Sequence, residues 1–291
     1  MTGPTVVVTD SAASLPASLA AAHGIVVVPL SVTVGDESYD EGISIGIDAV
    51  MDALVAGQAV HTSQPSTEAF AQAFRDVEAG GAGAIVAVLI ASGLSGTVDR
   101  ARAGADAVSI PVSIVDTGTV AMGTGFAAIA AARAARAGRP ADAVVRTAEA
   151  VASSAVCVFT VDTLEYMRRG GRISSASAAM GRVLNVKPVL EIHDGAPAVT
   201  QKVRSTARAR DVVLERAEAA IDAATAPAIA IMTLGDGTFG DDAARSFRLH
   251  HEALEPIVDT SISAVLAVHA GPGALAIVVA DMSASSPTAV D

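Results

Sequence analysis

Tryptophan is absent from this chain, cysteine occurs once, and aromatic residues make up only 3% of its 291 positions. Charge is scarce as well, at 17%, and tilted to one sign: 19 basic against 31 acidic residues give a net charge of −12. Each shortage excludes something. The single thiol rules out an internal disulfide, and its place in the apolar run Ala155-Val-Cys-Val-Phe159 reads as packing rather than as a nucleophile. An acidic chain without a basic stripe or interleaved aromatics is a poor match for a phosphate backbone, so no nucleic acid partner is expected. Low charge combined with 51% hydrophobic residues excludes intrinsic disorder. Long apolar runs are lacking too. Of the uncharged stretches, Ala79–Val98 holds five glycines, Thr117–Ala132 is too short, and Thr260–Ala280 is broken by His269 and Gly271-Pro272-Gly273. None predicts a spanning helix. The N-terminal MTGPTVVVTDS has no basic leader before an apolar core, which predicts a cytoplasmic protein with at most transient membrane contact.

What is present is length for two domains and an alternation of short β-branched runs with alanine-rich helical ones. Thr5–Thr9, Gly24–Val28, Ala84–Ala91 and Pro111–Val115 predict strands, several apolar on both faces as in a covered parallel sheet. Helices are expected at Pro16–Ala22, Ile47–Ala56, Thr67–Ala79, Thr97–Ala107 and Val120–Ala137. Residues 1–153 should therefore form a three-layer α/β domain with a mostly parallel sheet. Residues 154–291 change style. Two extended runs around His193-Asp194-Gly195 predict a hairpin, because Asp-Gly favours its two-residue turn. With strands at Ala155–Val161, Ile229–Thr233, Pro256–Thr260 and Ala274–Ala280 and helices at Asp142–Ala152, Leu164–Arg169, Thr206–Ala224 and Asp241–Leu254, this half should be an α+β domain with a mixed sheet. The tail Ser283–Asp291 is expected to fray.

Several loops could carry chemistry. Strand Ala84–Ala91 delivers Ser92-Gly-Leu-Ser95-Gly-Thr97 onto a helix start, where unpaired amides and the helix dipole favour an anion and two hydroxyls add donors. Thr9-Asp10-Ser11 and Asp116-Thr117-Gly118 repeat the construction, although Ser, Thr and Asp also sit at such places simply as caps. In His61-Thr62-Ser63-Gln64-Pro65-Ser66, Ser66 serves as an N-cap, which leaves Thr62, Ser63 and Gln64 to face something else. His269 ends an apolar run beside the turn Gly271-Pro272-Gly273. Arg168-Arg169-Gly170-Gly171-Arg172 places basic residues at a helix C-terminus, where they also complement the dipole. Other patterns fail. Gly118 to Thr124 has Thr124 where a phosphate loop needs Lys, Gly123-Thr-Gly125 falls inside a helical run, and Gly93-Leu-Ser95-Gly96-Thr97 misses the serine-hydrolase elbow by one residue. His250-His251-Glu252 lacks metal-site spacing.

Taken together, these loops resemble the DegV family, fatty-acid-binding proteins of bacteria. The match runs in order through Thr9-Asp10-Ser11, Thr62-Ser63-Gln64-Pro65-Ser66, Leu94-Ser95-Gly96-Thr97, Gly170-Gly171-Arg172-Ile173-Ser174, Lys187-Pro188 and His269-Ala-Gly271-Pro272-Gly273. The resemblance implies two domains with a long-chain fatty acid held between them and no other cofactor. It implies a carrier rather than a free-standing enzyme. A separate, ATP-dependent fatty acid kinase subunit would phosphorylate the bound acyl chain, and the product would feed phospholipid synthesis. By the same resemblance, Thr62 and Ser95 match carboxylate-binding hydroxyls, His269 and Arg172 the polar network around the headgroup, and Arg204 a segment that docks the kinase. Ala91 and Val98 depart from the family pattern, which has Ser and Tyr there in many members. Two other functions fit the same residues: a serine acyl hydrolase with Ser95 as nucleophile and His269 as base, and an interaction protein whose Ser/Thr loops are only caps.

Overall fold

The structure, a computed structural model, describes residues 3–173, 186–234, 238–251, 254 and 257–285. Of the sequence features above, Ser174, Glu252, Pro256 and residues 286–291 lie outside the described residues.

Strand β6 (Ala84–Leu89) is why the first sheet is parallel and covered on both sides. Its Ile85, Ala87 and Leu89 pack into one apolar cluster and Val86 and Val88 into another, all fully buried. A strand apolar on both faces needs cover on both. The sheet runs β2 (Val26–Val28), β1 (Thr5–Asp10), β6, β7 (Val112–Asp116), every pair parallel. Helices α3 (Thr67–Ala79) and α4 (Thr97–Gly104) close one face through Phe70, Phe74 and Val98. Helices α5 (Met122–Arg136) and α6 (Ala141–Ser154) close the other. This is the expected three-layer α/β arrangement. Three short strands escape a pattern reading: β3 (Ser31–Val34), β4 (Glu37–Asp40) and β5 (Val60–Ser63) pair antiparallel in the order β4-β3-β5. Four residues each, with polar side chains at half their positions or more, they give too little alternation to stand out.

The second domain is built on a mixed, six-stranded sheet. Its order is β10 (Ala196–Val203), β9 (Lys187–His193), β8 (Val156–Thr160), β13 (Leu275–Asp281), β11 (Pro227–Thr233), β12 (Ile257–Ser261), with β11–β12 the one parallel pair. The Asp194-Gly195 turn between β9 and β10 is as expected: both residues are left-handed, at φ 49° and 74°. After the short α7 (Glu165–Arg169), helices α8 (Thr206–Ala223) and α9 (Thr238–His250) cover one face of this sheet. Its other face, with Cys157, Leu190, Met232 and Val278, shares a single core with α5 and α6. Those two helices therefore form a middle layer between the sheets. That explains why α5 is alanine-rich and buried nearly all round rather than amphipathic. Helix α10 (Ala264–Ala270) was not evident from the pattern, and it places His269 in its last turn. Among the described residues, no helix is long and apolar enough to cross a membrane.

Candidate functional site

Between the two sheets the shared core is not solid. A cavity opens there, walled by Ala12, Leu30, Ile90, Val120 and Ala121 from the first domain and by Cys157, Phe159, Met167, Met232, Val265 and Ala276 from the second. Its free volume is about 110 Å³. The walls are overwhelmingly carbon. Cys157 is one of them, and burial pushes its thiol up to about 12, so it is inert packing.

Polar groups gather at one part of this wall, and every one comes from a loop or an element end. Thr62 lies on β5, opposite Val32 in the small antiparallel sheet. Its Oγ1 is 2.8 Å from Nε2 of His269 across the domain boundary. Burial, aided by the Arg172 charge, brings His269 down to about 4, so the ring is neutral at physiological pH. Its Nδ1 is buried with no hydrogen-bond partner among the described residues. Gly170 packs directly against the ring: a Cβ there would come within 2.1 Å of Nδ1. Arg172 reaches back to the first domain, donating from Nε to the Leu94 carbonyl at 3.1 Å and from Nη1 to Gly170 O at 2.6 Å. Ser95 Oγ is 2.8 Å from Thr97 Oγ1. The N-cap of α4 is Gly96, which has no side chain to satisfy the first amides of the helix. Thr62, Ser95, Arg172 and His269 thus line one cavity, together with Ser63 and Gln64. Beyond Thr62, Arg172 and His269 lies a second, more polar hollow bordered by His61, Tyr166 and Arg169.

The other two hydroxyl-rich loops are used internally. Asp10 is fully buried and accepts from the Ala12 and Ile90 amides at 3.0 and 2.8 Å. Asp116 accepts from Ser92 and Gly118. Asp10 caps the short turn Ser11–Ala13, and Asp116 ties the Ser92 loop to its own turn, so both shape the loops beside the cavity. Burial outweighs these bonds at Asp10 and raises its carboxyl to about 7, against 3.8 in the free residue. From about pH 4 to 7 the unfolded chain has lost a proton that the folded chain keeps. The Asp10 contribution is therefore full below pH 4 and fades as pH rises through 7. His269, held below its free value of 6.5, works in the opposite sense between about pH 4 and 6.5. The difference between wild type and Asp10→Asn cancels the histidine and leaves the aspartate together with its coupling to the buried Glu41. In urea unfolding, the stability gap between the two proteins should change across this range. A gap constant with pH would contradict the assignment.

The model described as "Uncharacterised protein, DegV family" matches residues 4–281. The chain belongs to the DegV family. A DegV domain-containing protein of Streptomyces coelicolor is 39% identical over 278 residues, covering 94% of this chain and 97% of that one. Among solved structures, a fatty-acid-binding DegV family protein of Thermus thermophilus superposes with a TM-score of 0.88 at 29% identity, covering 96% of this chain and 99% of the other. DegV of Bacillus subtilis, a fatty acid binding protein, gives 0.85 at 25% identity, covering 96% and 99%.

Within this DegV fold, Arg204 stands apart from the cavity. It is exposed, just past the end of β10 and at the opposite end of that strand from the Asp194-Gly195 turn. The turn itself meets the Ser95 loop, since a Cβ on Gly93 would lie 2.8 Å from the Gly195 carbonyl oxygen. Much of the basic stretch around Arg204 is engaged. Arg208 pairs with Glu215 at 2.7 Å, and Arg210 sits 4.8 Å over the Phe239 ring. Among the described residues, no cluster of His, Cys, Asp and Glu could hold a metal ion.

Proposed function

We propose that this chain binds a long-chain fatty acid between its two domains, divided at residues 153 and 154, and presents the carboxyl group for phosphorylation by a separate kinase subunit in the cytoplasm. One observation carries the reading: Thr62, Ser95, His269 and Arg172, which come from both domains, stand together in the wall of one otherwise apolar cavity. Fatty acid binding by the Thermus and Bacillus proteins supports it. At about 0.8 kcal/mol per buried methylene, a tail of some sixteen carbons supplies roughly 10 kcal/mol before ordering costs. The tail sets affinity and the polar end sets orientation. A neutral His269 donating from Nε2 to Thr62 leaves the threonine proton free for a carboxylate, while Ser95 and the uncapped amides of α4 supply further donors. Arg172 also borders the more polar hollow, and its fixed charge and forked donors suit a phosphoryl group.

The hydrolase alternative needs Ser95 and His269 to bond each other and an acid to orient the ring. Instead, each bonds a threonine hydroxyl, and Nδ1 of His269 meets no carboxylate among the described residues. Phosphorylation gives the test. The chain with palmitate and ATP should leave the ATP intact, and adding a bacterial fatty acid kinase catalytic subunit should yield acyl phosphate. Arg204→Ala should slow that transfer at least severalfold while palmitate binding stays as in wild type. ATP turnover by the chain alone, or an unimpaired Arg204→Ala protein, would count against the carrier role or the docking site respectively.

A further inference from the structure

Helix α10, which carries His269, begins with an N-cap residue, Ser263, whose side chain makes no bond to the helix. The amides of its first turn still require acceptors. They find them in the first domain. Glu41 Oε1 accepts from the Val265 amide at 2.9 Å, and Ser14 Oγ accepts from the Ser263 amide at 3.2 Å. Glu41 follows β4 in Asp40-Glu41-Gly42, a segment that reads as a solvated acidic turn, yet it is only 7% exposed. Its second oxygen accepts from Ser11 Oγ, and that hydroxyl accepts in turn from the Leu30 amide at 2.9 Å. Asp10, the residue before Ser11, holds the Ile90 amide where β6 runs out toward Ser95. Two adjacent residues thus anchor both arms of the headgroup site: Asp10 directly, and Ser11 through Glu41.

Burying a carboxylate is costly unless its oxygens are met by donors. An ordinary serine or aspartate cap on α10 itself would satisfy the helix without that cost. What the cross-domain cap adds is a fixed distance between α10 and the first domain, and the Thr62–His269 bond spans that distance. We infer that Glu41 is a positioning residue for the headgroup site: by capping α10 from the first domain it holds His269 at bonding distance from Thr62. The inference rests on the reading of the cavity as a fatty acid site.

Palmitate and 1-hexadecanol separate the two claims, because they share a tail and differ in the anionic head. Binding of each to delipidated protein is measured by calorimetry, with circular dichroism as the check on folding. Glu41→Ala should bind palmitate about fivefold more weakly, the effect of a lost helix cap, while hexadecanol changes by less than about twofold. Glu41→Gln keeps a carbonyl oxygen for the Val265 amide and should restore most of the palmitate preference. Where Glu41→Ala does not fold, Ser11→Ala, which removes the bond that steers Glu41, should show the same selective loss on a smaller scale. A wild-type palmitate-to-hexadecanol ratio in the folded variants, or equal loss of both ligands, overturns the inference while leaving the fatty acid reading intact. A wild-type protein that takes up neither ligand overturns both.

Discussion

Replacing Thr62 and Ser95 together by alanine should weaken retention of a long-chain fatty acid by about 1–3 kcal/mol, roughly fivefold to somewhat over a hundredfold. The two hydroxyls approach from different elements, Thr62 from β5 and Ser95 from the loop before α4, and both line the polar part of the cavity wall. Each holds a second hydroxyl or an imidazole in the protein: Thr62 bonds His269, and Ser95 bonds Thr97. Removing them takes away the charge-assisted bonds to a carboxylate and leaves His269 without its Thr62 bond. The loss should be partial rather than complete, since the tail still supplies most of the binding energy. Both residues are only partly buried, so the fold should survive. Dissociation constants for palmitate from calorimetry on delipidated protein check this directly. An unchanged constant in a folded double variant would remove these residues from the headgroup site.

A larger effect is expected at the apolar wall of the cavity. Ala276 lies on β13, paired with Phe159 of β8 and Met232 of β11, and forms part of the cavity wall. A phenylalanine at this position would fill space that about four methylenes of the guest would otherwise occupy. At about 0.8 kcal/mol each, palmitate affinity should fall by more than about a hundredfold. Overpacking itself costs about 1–3 kcal/mol of stability, so thermal unfolding must be followed alongside. A folded Ala276→Phe protein with wild-type palmitate affinity would show that the tail does not use this cavity.

Much of this arrangement was legible in the chain because the signals were local. The doubly apolar run at Ala84–Ala91 announced a covered parallel strand, which forms over Ala84–Leu89, and Asp194-Gly195 announced a two-residue hairpin turn. Thr62, Ser95, Arg172 and His269, far apart in sequence, do line one cavity; that they act on a carboxylate is the proposal tested above. Other features depend on distant contacts and leave little local trace. The sheet β4-β3-β5 consists of four-residue strands, although the Gly35-Asp36 pair between the first two was a usable turn signal. Helix α10 is seven residues long and nearly all apolar, so length and periodicity could not separate it from a buried strand. Glu41 gave no signal at all. An acidic residue beside Gly42 reads as exposed, whereas Ser11 and α10, the latter more than two hundred residues away, bond its carboxylate in the buried position it takes.

The most direct test of the account is native mass spectrometry of the chain as purified from bacterial cells without added lipid or detergent. One equivalent of a long-chain fatty acid should accompany each chain, and the added mass should disappear after organic extraction and return on incubation with palmitate. A chain that carries no lipid as purified and takes up no palmitate would contradict the central claim.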